Sequence, residues 1–466
     1  MLGLLAMLTL GACTHESGEL PLRTPEGNPP NLLIVSIDTL RADHLSAWGY
    51  DQPTSPTIDE LAATGVRFER ALSPASETAP GTASLLTGRY ADRHGAWHNV
   101  VPLSPEATTI AELASRAGYR TGALVGNRLL AARFGFAQGF DSFHGFWTEN
   151  AEEASDETGV SRAIEWIEGR ETDAADAGRP WFLWLHLMDP HGPFTSAGPE
   201  WSEDFKYPSG GFGEDAPVPL AIGNYGLGII PRYQQIGDHD RLSYYVRRYD
   251  GEIRYTDHQL GRLIRALRER RLHRRTLIVL SADHGESLTG HREYLQHGWF
   301  IYDATMRVPL LFALPGSLPE GAVVREPVGT IDVVPTLVEL LGLDASPQAF
   351  DGRSLAVALA GGRIDAERSL FGFGARANYP FSISRGRWKL IHTTAGTPRD
   401  ARLSVPPGGF RSAESVELYD IVNDPGELDN LADEAPKRTE EMLAELSAFE
   451  IRVKASIPDV GRALSR

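Results

Sequence analysis

Cysteine is nearly missing: Cys13 stands alone in 466 residues, so neither an intrachain disulfide framework nor a cysteine-rich metal site can be built. Positive charge is also in deficit, 45 Lys+Arg against 62 Asp+Glu for a net −17, which argues against a broad basic surface and against a nucleic-acid partner. After residue 13 no apolar run reaches the roughly 18 residues that a spanning helix needs. Apolar residues as such are not scarce. At 42% hydrophobic, 9% aromatic and 23% charged the chain is globular, with room for two or three domains or one large α/β domain with an appendage.

The lone cysteine closes an uncharged apolar run, Met1 to Ala12, that ends in small residues. This resembles a bacterial lipoprotein signal, with residues 1–12 removed, Cys13 lipidated and the polar, Pro-rich stretch to residue 30 serving as a tether. The expectation is membrane attachment through the N-terminal lipid. Thr14 rather than Asp after the cysteine points to a bacterial cell-envelope protein on the outer membrane, facing the periplasm. The other reading is an ordinary signal peptide with an incidental cysteine.

From Asn31 onward, short apolar runs alternate with amphipathic stretches. Asn31 to Ile37 (NLLIVSI), Trp181 to Leu187, Thr276 to Leu280 and Val308 to Ala313 read as strands, the first as one buried on both faces. Helices are expected at 110–117, 161–168, 244–271 and 333–341. This alternation predicts a doubly wound α/β sandwich on a mainly parallel sheet across 31–364. Residues 196–240, rich in Gly, Pro and aromatics, read as a long insertion loop, a kind of segment that tends to be functional. Beyond residue 365, closely spaced short strands and a helix near 435–455 predict a smaller C-terminal α+β subdomain over 365–466.

Three of the buried strands run into ligand-type residues: the first into Asp38, the second into His186, Asp189 and His191, the third into Asp283 and His284. Open α/β sheets place their sites at the carboxyl ends of strands, so groups 245 positions apart can converge there. Two carboxylates and an imidazole at one edge call for a cation among them, which points to a divalent metal ion. Asp38, Asp283 and His284 are the expected ligands, caps on the following helices being the plainer alternative.

These residues also carry a family resemblance. Thr78-Ala-Pro-Gly-Thr-Ala-Ser-Leu-Leu-Thr-Gly-Arg-Tyr90 resembles the sulfatase signature. Ile37 to His44 and Ser281 to Glu286 resemble the metal strands of that family, and Tyr302 to Pro309 the strand entry beyond. Trp388 to Ile391, Glu417 to Asp420 and Asp424 to Glu427 are similar to its C-terminal subdomain. The resemblance spans roughly residues 30–445. It implies the alkaline-phosphatase-like α/β/α fold, a metal-dependent hydrolase of sulfate or phosphate esters, and a small-molecule, glycan or lipid ester as substrate.

By the same resemblance Thr78 is the nucleophile and a fourth ligand, and His191 and His297 are catalytic or substrate-binding groups. Asn127 is a substrate contact, and Asp189 with the two histidines would hold a second ion. His186 and His291 are weaker candidates. Zn, Mn, Mg or Ca all suit this mixed oxygen and nitrogen set. The departures matter as much. The family oxidises a Cys or Ser to formylglycine where this chain has Thr78. Thr82, Asn127 and Leu129 stand where sulfatases carry Arg, Lys and His, and Thr39 replaces an Asp. The expectation is therefore cleavage of phosphate mono- or diesters, or phosphonates, through Thr78. Sulfatase activity is the first alternative and a catalytically silent binding lipoprotein the second.

Overall fold

The computed structural model describes residues 20–24, 27–147, 155–176, 178–206, 215–224, 226–374, 380–394 and 414–457. Cys13 and the expected signal lie outside the described residues. Among these residues no helix is long and apolar enough to cross a membrane.

The strands, in chain order, are β1 Asn31–Ile37, β2 Val66–Leu72, β3 Arg120–Val125, β4 Ser142–Gly145, β5 Trp181–Leu187, β6 Thr276–Ala282, β7 Arg307–Ala313, β8 Ala322–Val324, β9 Val328–Gly329, β10 Leu370–Phe373, β11 Phe381–Arg385, β12 Trp388–Thr393 and β13 Ser415–Asp420. The first nine form one sheet in the order β4-β3-β5-β1-β6-β7-β2-β8, with β9 also paired to β2. All its pairings are parallel except those of β7, which runs against β6 and β2. β1, β5 and β6 are buried at every position, as their unbroken apolar runs require of strands covered on both faces.

The helices are α1 Pro56–Ala63, α2 Thr78–Thr87, α3 Ala91–His94, α4 Ile110–Arg116, α5 Asp156–Thr172, α6 Leu242–Glu269, α7 Asp303–Met306, α8 Val333–Leu341, α9 Ala356–Leu359 and α10 Pro436–Ser456. α6 packs against α1 and α5, while α2 packs against α4 and α8, which gives the two helical layers of an α/β/α sandwich. α4 begins with a capping box in which Thr109 and Glu112 satisfy each other's backbone N–H groups. β10 to β13 make a separate four-stranded antiparallel sheet covered by α10. Its apolar cluster is distinct from the core around the large sheet.

Two expectations change in detail. The described part of the tether is docked rather than free: Leu22 is buried and its N–H donates to the Leu340 carbonyl, while the Tyr119 hydroxyl donates to the Pro30 carbonyl. The 196–240 insertion has little regular structure, but it is stitched to the segment before His297. Gln296 exchanges hydrogen bonds with Gly226, and Gln234 donates to the Leu295 carbonyl.

Candidate metal and nucleophile site

Strand register creates the site. β1 pairs with β5 on one side and β6 on the other, with Ile37 opposite both Leu187 and Ala282 and Ser36 opposite His186. The next residue of β1 is therefore Asp38, the next of β6 is Asp283, and His186 flanks them from β5. α2 begins with Thr78 at the same edge and comes very close to it. A Cβ on Gly81 would sit 2.3 Å from the Asp283 carbonyl oxygen, so only glycine allows the helix this approach.

Asp38, Asp283 and His284 are fully buried, and one ligand atom from each lies within 4.8 Å of the others; they are the sole such group among the described residues. Asp38 Oδ2 accepts from Asn127 Nδ2 at 2.7 Å and from His186 Nε2 at 3.3 Å, while Oδ1 has no partner. Asp283 Oδ1 accepts from the Thr39 and His284 N–H groups, while Oδ2 has none. His284 Nδ1 donates to the Gly285 carbonyl at 2.8 Å, which leaves the Nε2 lone pair exposed to the cluster. That nitrogen is 3.4 Å from Thr78 Oγ1, 3.6 Å from Asp283 Oδ2 and 3.9 Å from Asp38 Oδ1. Two orphaned carboxylate oxygens, one imidazole lone pair and one hydroxyl, all buried, fit a divalent cation: each is an electron-pair donor and buried groups of this kind are otherwise satisfied.

The electrostatics agree. Burial pushes both carboxyls up, but the His186 hydrogen bond and the charges of His191, His186 and His284 hold Asp38 well below the usual range. Asp283 is pushed well above it, by burial and then by the charge of Asp38. A bound cation removes exactly this conflict between neighbouring acids.

Thr78 is the first residue of α2, with Glu77 at the N-cap position. His191 and His297 do reach the site. The His297 ring centroid lies 4.4 Å from that of His284 and 5.2 Å from that of His191. His191 Nδ1 donates to the Gly192 carbonyl, and His297 Nδ1 to Glu286 Oε1 at 3.2 Å.

Two sequence expectations need correction in role, and a third gains one. Asn127 gives one amide N–H to Asp38 and accepts from the Leu129 N–H, so it orients Asp38 while its second N–H stays available to a substrate. Asp189 does not join the ligand cluster. It lies with Asp156 at the start of α5, accepting from the Asp156 N–H, and its carboxyl is lifted to about 9 by burial and by the charge of Asp156. His291 points elsewhere, stacked on Tyr302 and bonded to the Gly426 carbonyl beside the small sheet. His186, in contrast, is a direct partner of Asp38, held by Ser36 Oγ at 2.8 Å.

Two residues were not assigned roles from sequence. Glu286, fully buried and lifted to about 7 chiefly by burial, backs His297; its place two residues after His284 was the available signal. Tyr249 of α6 donates to the Thr39 carbonyl at 2.7 Å and accepts from the Arg41 N–H at 2.9 Å. It thereby holds a turn in which Thr39, a β-branched residue, has φ of 54°. No sequence pattern marks that contact.

Residues 30–343 match the family described as Sulfatase, and residues 295–398 the C-terminal family of N-sulphoglucosamine sulphohydrolase. The choline-sulfatase of Rhizobium meliloti is 26% identical, over 87% of this chain and 82% of that protein. Human arylsulfatase A is 26% identical, over 91% and 87%. Among solved structures, one bound to its substrate D-glucosamine-2-N,6-O-disulfate superposes with a TM-score of 0.73 at 18% identity, covering 93% of this chain and 99% of that one. The phosphonate monoester hydrolase of Agrobacterium radiobacter gives 0.68 at 22%, covering 92% and 96%.

Proposed function

We propose that this chain, which belongs to the sulfatase family of ester hydrolases, cleaves or transfers phosphate mono- or diesters, or phosphonates, with Thr78 as nucleophile. The observation that carries the reading is the placing of Thr78 Oγ1 at 3.4 Å from His284 Nε2, in the same buried cup as the free oxygens of Asp38 and Asp283. A threonine side chain cannot become formylglycine, so a sulfated Thr78 would lack the second geminal hydroxyl through which sulfate is eliminated. A phosphorylated Thr78 can be released by attack of water at phosphorus.

Asp38, Asp283, His284 and Thr78 would hold the cation, which supplies Lewis acidity for the threonine hydroxyl and the phosphoryl oxygens. The Thr78 hydroxyl would release its proton to solvent in the resting site, and the alkoxide attacks phosphorus, forming the Oγ–P bond as the bond to the leaving oxygen breaks. His297, as an imidazolium backed by Glu286, gives that oxygen its proton. Neutral His297 then takes a proton from water, whose oxygen bonds to phosphorus while the Oγ–P bond breaks. The net change is addition of one water across the ester. Asn127 and His186 keep Asp38 oriented throughout.

The test compares bis-nitrophenyl phosphate, nitrophenyl phosphate, a nitrophenyl phosphonate and nitrophenyl sulfate on wild type and Thr78→Ala. Phosphorus esters cleaved by wild type and lost in the variant are expected. Faster turnover of the sulfate supports the sulfatase alternative, and no turnover of any ester supports the silent one. The anchor at Cys13 belongs to the same reading, as a periplasm-facing lipoprotein. Cys13→Ser should move the protein from the membrane to the soluble fraction.

A further inference from the structure

The 196–240 insertion reaches the site through one side chain. Gln234 closes the short turn Arg232–Gln234 and is fully buried. On one side its amide lies against Gly192: a Cβ there would sit 2.0 Å from both Gln234 Nε2 and Oε1, so glycine is what admits the amide this close to the chain. On the other side Nε2 donates to the Leu295 carbonyl at 3.0 Å, which also accepts from the Tyr233 hydroxyl at 3.2 Å. Gln234 Oε1 has no partner. A buried amide oxygen without a donor works against stability, so what this side chain supplies is its shape and one N–H.

Both neighbours of that amide adjoin a histidine of the site. The Gly192 carbonyl is the acceptor that orients His191, through Nδ1 at 2.7 Å. Leu295 stands two residues before His297 and has φ of 55°, a left-handed conformation that a leucine keeps only where its surroundings impose it. The insertion imposes it. Besides the two bonds to the Leu295 carbonyl, the Gly228 N–H donates to the Arg292 carbonyl at 2.6 Å and Gln296 Nε2 donates to the Gly226 carbonyl at 2.6 Å. The two imidazoles that result stand edge to face, 5.2 Å between centroids.

We propose that Gln234 is a positioning residue: it braces the His191–Gly192 turn against the Leu295–His297 segment and so sets the spacing of the two histidines. The proposal rests on the reading of His297 as the acid that protonates the leaving oxygen, and it gives the insertion a part in that step. A displacement of about 1 Å at such a group costs on the order of 100-fold in rate. The cost falls on esters whose leaving oxygen needs a proton, phenolates and alkoxides, and spares dinitrophenolate, which departs without one.

The experiment compares wild type with Gln234→Ala, Gly192→Ala and the two substitutions together, the added methyl at position 192 then filling the place the amide left. The first readout needs neither ion nor turnover: the rate at which diethyl pyrocarbonate modifies each histidine of EDTA-treated protein, mapped by mass spectrometry. Gln234→Ala should raise the rates at His191 and His297 at least about threefold while the exposed His144 and His258 keep theirs, and the double variant should return them toward wild type. The second readout is turnover. Gln234→Ala should lower kcat about 100-fold on a phenyl ester and less than about fivefold on the dinitrophenyl ester, with KM within about twofold. Equal losses on the two esters, unchanged reactivity of His191 and His297, or a double variant worse than either single one would make Gln234 a packing residue and overturn the proposal. Where wild type cleaves sulfate and not phosphorus esters, the phosphorus reading fails and the same pair of aryl sulfates decides on Gln234. Where it cleaves no ester, the histidine map decides. Should Gln234→Ala not fold, Gly192→Ala presses on the same contact from the other side and is read in the same way.

Discussion

Two buried charge clusters in this molecule are built on opposite principles. At the edge of the large sheet, Asp38, Asp283 and His284 meet with two carboxylate oxygens left unpartnered. Between the two sheets, Lys389 of β12 lies 2.8 Å from Asp303 of α7 and 2.7 Å from Glu427, while Arg70 of β2 reaches Asp303 at 3.2 Å. The second cluster has two cations for two anions and ties the small sheet to the large one. The first has like charges pressed together. Buried ions persist when matched, so an unmatched group marks a place where folding stability yields to binding. All three of the motif segments that supply Asp303, Lys389 and Glu427 looked family-like in sequence, yet they meet in a fastening and not in the reacting centre.

The contrast is broken most severely at the ligands. Asp283→Ala should abolish ion uptake, measured by metal content after dialysis, and lower turnover by at least about 10,000-fold, ~5.5 kcal/mol. Removal of the ion with EDTA should do the same. The metal-free variant should melt close to metal-free wild type, because relief of the carboxyl strained by Asp38 offsets the loss of an acceptor for the Thr39 and His284 N–H groups. A much lower melting temperature would make Asp283 a structural residue. Lys389→Ala should show the converse: a loss of about 3–5 kcal/mol in urea unfolding, because Asp303 and Glu427 are left buried together, with metal affinity unchanged.

A smaller effect tests how the fold holds the ligand edge. Tyr249→Phe leaves the Thr39 carbonyl and Arg41 N–H without their partner, at about 1–3 kcal/mol, and should weaken metal binding about tenfold by titration calorimetry. Adding Thr39→Gly should recover part of that affinity, since glycine adopts φ of 54° without strain. No recovery would mean that the turn is not what Tyr249 secures.

The last test, read as a slope with pH, is at Asp189. Its folded-state carboxyl titrates at about 9, through burial first and Asp156 second, whereas an unfolded Asp releases its proton near pH 4. Its contribution to stability is thus full below the unfolded value and is lost as the pH climbs toward 9. Asp189→Asn, which stays neutral, should make the stability profile between pH 5 and 9 flatter than that of wild type. An equal slope in urea midpoints would show that Asp189 is ionised in the fold.

By itself the sequence determined the buried strands, the α/β alternation and the Asp38, Asp283 and His284 trio, because each is written in local order: near-continuous apolar runs at 31–37, 181–187 and 276–280, and acidic or imidazole residues at or just beyond their ends. Partnerships across long separations were decided only in three dimensions. Asn127 turns to Asp38 89 positions away, Tyr249 secures Thr39 across 210, and Lys389 joins Asp303 across 86. Asp189 is drawn to Asp156 and away from the cation cup in the same way. The physical reason is that periodicity fixes which face a side chain takes on its own element, whereas the partner it meets depends on strand register and on how closely helices approach the sheet.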